Sequence, residues 1–263
     1  VMLPEKESSG DSVALARQVA DRFGVATVVE EVTGALAGFG CYGRRDEAIR
    51  RVFPEYTAGY KAKITLPRNV LESDAINVFY LTVITPRGEE KSKRLNLRDY
   101  LQIVAASNFK QRSRMAMLYY HAERRNYAVV GTPNKDEHDQ GFFVKWGDGG
   151  YDVAPIRHLY KTQVYQLAEY LDVPPEVRQA TPTTDTYSAG SSQEEFFFRL
   201  PFEVMDLLWY ALEQDVPVAE VARVMDLTEE QVQRAFADLE RKQRTTEYLR
   251  TMPIGYGNES LDA

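Results

Sequence analysis

The stretch that decides the fold is YAVVGTPNKDEHDQGFFVKWGDGGYDVAPIRHLYK, residues 127–161. Its first part, Tyr127 to Val130, is an apolar run that gives way at Gly131 and Thr132 to polar and charged residues. A buried parallel strand has this pattern when it opens onto a site at its carboxyl end. The remainder combines carboxylates, lysines and glycines, which indicates anion and metal chemistry more than packing.

The amino-terminal part of the chain predicts a strand, a helix and a second strand. Residues 1–4 read as the end of a short strand, residues 12–23 carry an apolar stripe at helical spacing, and residues 26–32 form a second apolar run. This order is typical of a parallel sheet with crossover helices. The fold class predicted is therefore α/β, a parallel sheet with flanking helices.

The rest of the chain divides into an insertion and a helical end. Residues 77–84 and 89–95 flank Pro86-Arg87-Gly88 and predict a hairpin whose second arm is a polar edge. Residues 54–76 are predicted to be irregular. An α/β domain is predicted over 1–185 and a helical region over 186–263. Helices are predicted over 44–53, 97–106, 108–125, 160–171, 200–212, 218–225 and 228 to about 248.

Composition narrows the class of protein. The net charge of −7 argues against general nucleic-acid binding, and no apolar run approaches the roughly 20 residues of a membrane span. Cys41 is the single cysteine, so no disulfide framework is expected and a reducing cytoplasm fits.

Several side chains allow both a structural and a functional interpretation. Arg112 and Arg114, near the start of a predicted helix, are either a solvated pair or a guanidinium fork for phosphate or carboxylate. Glu137 is either a solvated loop acid or a Mg²⁺ ligand, since Mg²⁺ takes one or two carboxylates plus phosphate oxygens. Lys145 and Lys161 flank a glycine-rich loop that is either plainly flexible or able to close over a phosphorylated ligand.

The carboxyl-terminal helices leave a further alternative open. Residues 218–225 and those after Thr228 could form a DNA-binding helix-turn-helix. The second helix begins with glutamates, which would face phosphates, so a plain helical hairpin is favoured.

Linked motifs then resemble those of one family. The segments NFKQRSRM (108–115), GTPNKDEHDQGFFVKWGDGGYDVAPI (131–156), LYKTQVYQLAEYLDVP (159–174) and TPTTDTY (181–187) resemble NAD(+) synthetase, a member of the N-type ATP pyrophosphatases. The resemblance implies an adenine nucleotide alpha hydrolase-like fold and a ligase. The implied reaction is amidation of deamido-NAD to NAD through an acyl-adenylate, with ATP and Mg²⁺ as cofactors, ammonia as nitrogen donor, and release of AMP and pyrophosphate. A cytoplasmic homodimer is implied, with no nucleic-acid or membrane partner.

The resemblance also implies roles for particular residues. Glu137 resembles the family's Mg²⁺ ligand, and Asp148 is a hypothetical base for ammonium. Lys161 is suited to the charge of pyrophosphate. The implied ATP contacts are Thr132, Lys161 and Thr183, and the implied deamido-NAD contacts are Arg112, Lys145 and Asp152.

Departures from the family pattern keep alternatives open. Val144 stands where the family usually has Thr, the carboxyl-terminal His-Lys pair is not evident around Tyr248, and residues 38–95 carry extra material. The family's first strand and its Ser-Gly-Gly-x-Asp-Ser loop, which holds pyrophosphate, are expected before Leu3-Pro4-Glu5. The chain is therefore expected to be a fragment. The alternatives are a family member without activity and another pyrophosphatase-type amidotransferase.

Overall fold

The computed structural model describes residues 1–66, 69–72, 78–184 and 186–255. The strands are β1 (Lys61–Thr65), β2 (Tyr80–Ile84) and β3 (Glu90–Arg94). The helices are α1 (Ser12–Arg22), α2 (Thr33–Gly38), α3 (Cys41–Val52), α4 (Leu97–Glu123), α5 (Lys135–Gln140), α6 (Lys161–Tyr170), α7 (Pro175–Arg178), α8 (Phe202–Glu213), α9 (Val218–Met225), α10 (Glu229–Thr245) and α11 (Glu247–Arg250), with a π-helix at Glu194–Phe198.

The regular sheet is antiparallel and has the order β1-β2-β3. The predicted hairpin is confirmed as β2 and β3, apart from Asn77, which lies outside the described residues. β3 is exposed along its whole length, as expected for a lysine-rich edge strand. The prediction that residues 54–76 are irregular is wrong at β1, which buries Ala62 and Ile64 against the sheet core.

Parallel pairing occurs at the predicted strands as isolated bridges. Met2 pairs with Val29, and the Met2 amide donates to the Val28 carbonyl at 2.7 Å. Val130 pairs with Val153 in the same sense. Met2 and Val130 thus pair in the parallel sense within segments that the sequence predicts as strands of a parallel sheet.

A single long helix, α4, replaces the two helices predicted over 97–106 and 108–125. The Asn96 side chain caps it by accepting from the Asp99 amide at 2.9 Å, and the helix runs unbroken to Glu123. Ser107, at the predicted break, is buried within it. Arg112 therefore lies in the middle of a helix, and the prediction that it sits near a helix start is wrong.

The carboxyl-terminal helices form the largest apolar cluster. Met205, Leu208 and Trp209 of α8 pack with Val232 and Leu239 of α10. Thr228 caps α10 through a capping box. α10 buries its apolar face against α8 and α9, so α9 and α10 form a plain helical hairpin. Among the described helices, none combines the length and apolarity that a membrane crossing requires.

A buried ionic cluster fixes the amino-terminal segment onto α3 and α4. Lys110 is 1 % exposed, and its Nζ lies 2.8 Å from both Glu5 Oε1 and Glu7 Oε2. Arg45 donates to both oxygens of Glu7, at 2.5 and 2.9 Å, and the Tyr42 hydroxyl donates to Glu5 at 2.7 Å. The cluster joins segments about 100 residues apart in sequence.

Candidate active site

A cavity of about 720 Å³ lies beside α4. One face of α4 lines it, from Tyr100 through Ser107 to Arg112. The other walls come from the loop around residues 132–148, from residues 183–184 and 186–197, and from residues 246–249. Segments distant in sequence thus meet around one space large enough for a small-molecule ligand.

The structure brings most of the predicted site residues to this cavity. Arg112, Thr132, Glu137, Lys145, Asp148 and Thr183 line it. Asp152 and Lys161 do not belong to its lining. Two of the predicted deamido-NAD contacts and two of the predicted ATP contacts therefore share one cavity with the predicted Mg²⁺ ligand.

Glu137 is held by the start of α5. Asn134 is the N-cap, and its side chain accepts from the Glu137 amide at 2.8 Å while Glu137 Oε2 accepts from the Asn134 amide at 3.0 Å. Glu137 Oε1 accepts from Gln193 Nε2 at 3.2 Å. The carboxylate therefore has a fixed orientation at the edge of the cavity.

The donor set around Glu137 fits Mg²⁺ only together with a phosphorylated ligand. No group of three or more His, Cys, Asp or Glu side chains that could hold a metal occurs in the described part of the chain. Mg²⁺ is commonly held by one or two carboxylates and by phosphate oxygens and water. Glu137 can supply one such carboxylate, and Asp148 also lines the cavity.

Asp148 organises the glycine-rich loop. Its Oδ1 accepts from the Val144 amide at 2.8 Å, and a Cβ added to Gly149 would lie 2.3 Å from the Phe143 ring, so the loop folds tightly on itself. Although part of the residue is exposed, its carboxyl group borders the cavity. Desolvation of this carboxyl raises the pKa of Asp148 to about 6.

Lys145 joins this loop to the carboxyl-terminal segment. Its Nζ donates to the Tyr248 and Thr251 carbonyls at 2.8 and 2.9 Å, and Arg112 Nε donates to the Lys145 carbonyl at 3.2 Å. The sequence predicted no contact between Lys145 and the end of the chain. A ligand anion that took the lysine ammonium would displace these carbonyls.

Lys161 lies at the first position of α6, where two buried carboxylates meet. Asp136 Oδ2 accepts from the Lys161 amide and Asp206 Oδ2 from the Thr162 amide, each at 2.8 Å. Burial, together with the neighbouring Asp206 carboxylate, raises the pKa of Asp136 well above its usual range. By accepting from successive amides, the two carboxyl groups fix the start of α6 against α5 and α8.

The carboxylate of Asp152 accepts two hydrogen bonds from within the fold. Its Oδ1 accepts from the Tyr119 hydroxyl at 3.0 Å and its Oδ2 from the Val129 amide at 2.7 Å. The carboxylate therefore joins α4 to the segment that contains the Val130–Val153 bridge. The residue remains exposed to solvent on its other side.

Sequence reasoning missed several cavity residues. Phe79, Tyr100 and Gln193 line the cavity, but none lies in a motif with chemical spacing. The π-helix at Glu194–Phe198 carries Phe196 and Phe197 into the lining. π-Helices often occur at functional sites, but the sequence alone does not show that one forms here.

Gly141 gives a structural prediction for the attachment of the carboxyl-terminal segment. Its φ is +77°, and an added Cβ would lie 2.2 Å from Thr246 Cβ, whose hydroxyl donates to the Gln140 carbonyl. Gly141→Ala should lower the free energy of unfolding by about 2 kcal/mol or more. Gly43→Ala is the matched control. Gly43 lies in α3, and a Cβ added there would meet nothing within 4 Å. This substitution should raise the free energy of unfolding by up to about 1 kcal/mol. Urea denaturation measures both, and equal effects would contradict the account.

Comparisons of sequence point to one family. The family described as NAD synthase matches residues 61–253. An NH(3)-dependent NAD(+) synthetase of Mesorhizobium japonicum is 51% identical over 254 residues, covering 97% of this chain and 79% of the relative. A protein of the same name from Rhizobium meliloti is 48% identical over 253 residues, covering 96% and 75%.

Solved structures share the fold. The NH3-dependent NAD synthetase from Campylobacter jejuni aligns with a TM-score of 0.55 and 19% identity, covering 96% of this chain and 75% of that one. The NMN synthetase from Francisella tularensis aligns with a TM-score of 0.52 and 17% identity, covering 96% and 76%. At such identities the likeness concerns the fold, and it confirms the predicted α/β, adenine nucleotide alpha hydrolase-like class.

Proposed function

The chain belongs to the NAD synthase family, and from that premise we propose that it makes NAD from deamido-NAD, ATP and ammonia. The observation that carries the proposal is the meeting of Arg112, Lys145 and Glu137 around one cavity, in a chain with a 51% identical NH(3)-dependent relative. A carboxylate is a poor acyl donor, so the reaction needs an activated intermediate. ATP supplies it by transferring its adenylyl group.

In the first step a nicotinate carboxylate oxygen attacks the α-phosphorus of ATP, and the bond to pyrophosphate breaks. In the second step ammonia attacks the acyl carbon, AMP leaves with that carboxylate oxygen, and one proton is released. Bound Mg²⁺ would neutralise charge on the departing pyrophosphate. We propose Glu137 as the residue that would hold this ion.

Two cationic side chains are proposed to bind the negative charge of the dinucleotide substrate. Arg112 and Lys145 lie at one side of the cavity, where they can orient an anionic dinucleotide. Thr132 and Thr183 line the cavity, and we propose that they contact ATP. Lys161 and Asp152 lie outside its lining, so we assign them to the parts of the nucleotides that extend beyond the cavity. We infer a cytoplasmic homodimer for the working enzyme.

Asp148 is proposed as the base that removes a proton from ammonium. Its carboxyl must be ionised for this role, so kcat should rise with pH through about 6 in the wild type. Asp148→Asn keeps an oxygen for the Val144 amide but removes the base, and should abolish that rise. A pH profile at constant total ammonium measures it, and an unchanged profile in the variant would remove the role.

The same substitution has a separate effect on stability. The folded pKa of Asp148 is raised above the unfolded value of roughly 4, so the folded state binds the proton more tightly between pH 4 and 6. The free energy of unfolding of the wild type should therefore decrease as pH rises through this window. In Asp148→Asn this part of the decrease should be absent. Unfolding free energies at pH 4 and 7 separate this structural effect from catalysis.

The proposed function is tested with the full-length protein, deamido-NAD, MgATP and ammonium. Formation of NAD and AMP in equal amounts is expected. AMP without NAD, formed with another carboxylic acid, would favour a different amidation. No AMP under any of these conditions would overturn the proposal.

A further inference from the structure

Gln193 joins two parts of the candidate site that lie far apart in the sequence. Its backbone amide donates to the Pro182 carbonyl at 2.9 Å, and the neighbouring residues Thr183 and Ser192 form an antiparallel bridge. Its side-chain Nε2 donates to Glu137 Oε1 at 3.2 Å. One residue therefore connects the segment of the proposed ATP contact Thr183 with the proposed metal ligand Glu137.

The contact with Gln193 completes the orientation of the Glu137 carboxylate. Glu137 Oε2 accepts from the Asn134 amide at 3.0 Å, a bond that by itself fixes only one of the two oxygens. With Gln193 on Oε1, each oxygen has a donor from a different segment of the chain. A carboxylate oxygen has two lone-pair sites, so both hydrogen bonds leave room for a metal ion.

The other polar atom of the Gln193 amide has no partner. Gln193 Oε1 is buried and accepts no hydrogen bond from the described residues. The amide cannot turn over to relieve this, because an ionised Glu137 only accepts hydrogen bonds and therefore needs Nε2 facing it. A buried acceptor without a donor lowers the stability of the fold. Stability alone therefore does not explain a glutamine at this position.

We propose that Gln193 is a positioning residue for the divalent cation at Glu137, a role that rests on the proposed function. Replacing a side chain that orients a metal ligand typically lowers metal affinity by about 10- to 100-fold. Gln193 does not bind the ion itself, because its Nε2 is a donor and its Oε1 is buried. It acts through Glu137, and its backbone bond to Pro182 couples that ligand to the segment that contacts ATP.

The role is tested with Gln193→Met, which keeps the length of the side chain and removes both polar atoms. Mn²⁺, which suits the same oxygen ligands as Mg²⁺, is the probe. Electron paramagnetic resonance measures its binding to the full-length protein with α,β-methylene-ATP, which cannot lose pyrophosphate. The variant should bind Mn²⁺ about tenfold more weakly than the wild type. Its melting temperature should equal or exceed that of the wild type, because the unpaired oxygen is gone.

Binding of the same nucleotide in EDTA separates the ion from the nucleotide. It should be unchanged in Gln193→Met, because the backbone bond to Pro182 does not need the side chain. Glu195→Gln is the control: Glu195 lies in the same segment, pairs with Lys63 at 2.8 Å and is outside the cavity lining. This control should leave Mn²⁺ binding unchanged.

Three results would overturn the role of Gln193. The first is wild-type Mn²⁺ affinity in a folded Gln193→Met variant. The second is a lower melting temperature with equal losses of Mn²⁺ and nucleotide binding, which describes a purely structural residue. The third is a wild type that binds no Mn²⁺ with the nucleotide. Failure of the proposed function is distinguishable, since a wild type that binds Mn²⁺ and nucleotide would then make no NAD.

Discussion

Glu137→Gln should lower kcat by about 100-fold or more while leaving the fold intact. The substitution removes the carboxylate that we propose to hold Mg²⁺ at the cavity. Glutamine is favoured at this position of a capping box and can still accept from the Asn134 amide. The loss should therefore appear in catalysis rather than in stability. Steady-state kinetics over a range of Mg²⁺ concentrations, with thermal unfolding in parallel, measure both.

Asp139→Asn is the matched control for that variant. Asp139 is also on α5 and forms ion pairs with Lys135 and His138, but it lies outside the cavity lining. Its substitution should change kcat by less than about threefold. Wild-type kcat in a folded Glu137→Gln variant would contradict the assigned metal site. An equal loss in both variants would attribute the effect to α5 as a whole.

Lys110→Met should lower the free energy of unfolding by about 3–5 kcal/mol. The side chain of Glu5 is fully buried and that of Glu7 is 12 % exposed, and the substitution removes the ammonium they share. Methionine has a similar length, so the main loss is electrostatic rather than a loss of packing. Urea denaturation at pH 7 measures the change. Arg22→Ala breaks an exposed ion pair with Asp172 and should have no measurable effect.

The pH dependence of stability provides a second readout of the same cluster. Burial opposes ionisation of Glu7, but hydrogen bonds and charge from Arg45 and Lys110 outweigh it and lower its pKa to about 2. The stability that Glu7 contributes is therefore complete above pH 4.5 and is lost as pH falls towards 2. Lys110→Met should flatten this part of the profile. An unchanged profile would show that Arg45 alone sets the ionisation of Glu7.

Local patterns predicted the helices well and the strands only in part. The stripe in residues 12–23 and the helix predicted from residue 228 correspond to α1 and α10. β1 was missed because Lys61–Thr65 gains its partner only when β2, about 15 residues later, folds against it. The break predicted near Ser107 does not occur, because packing on both sides of α4 outweighs the weak helix propensity of serine and asparagine. Tertiary contacts decide these cases.

For the site, the sequence predicted candidate residues after the strand end at Val130, and several of them line the cavity. Thr132, Glu137 and Asp148 are close in sequence, so a loop of suitable composition predicts them together. The contact of Lys145 with Tyr248 spans 103 residues. Phe79 and Tyr100 read as ordinary core residues. Only the fold brings such residues to a common cavity.

The central claim, adenylation of a carboxylate followed by amidation, is tested most directly by an oxygen label. Deamido-NAD with oxygen-18 in its carboxylate is incubated with the full-length protein, MgATP and ammonium, and AMP is analysed by mass spectrometry. One carboxylate oxygen should appear in each AMP formed, in step with NAD. Unlabelled AMP, or label in inorganic phosphate in place of AMP, would contradict the account.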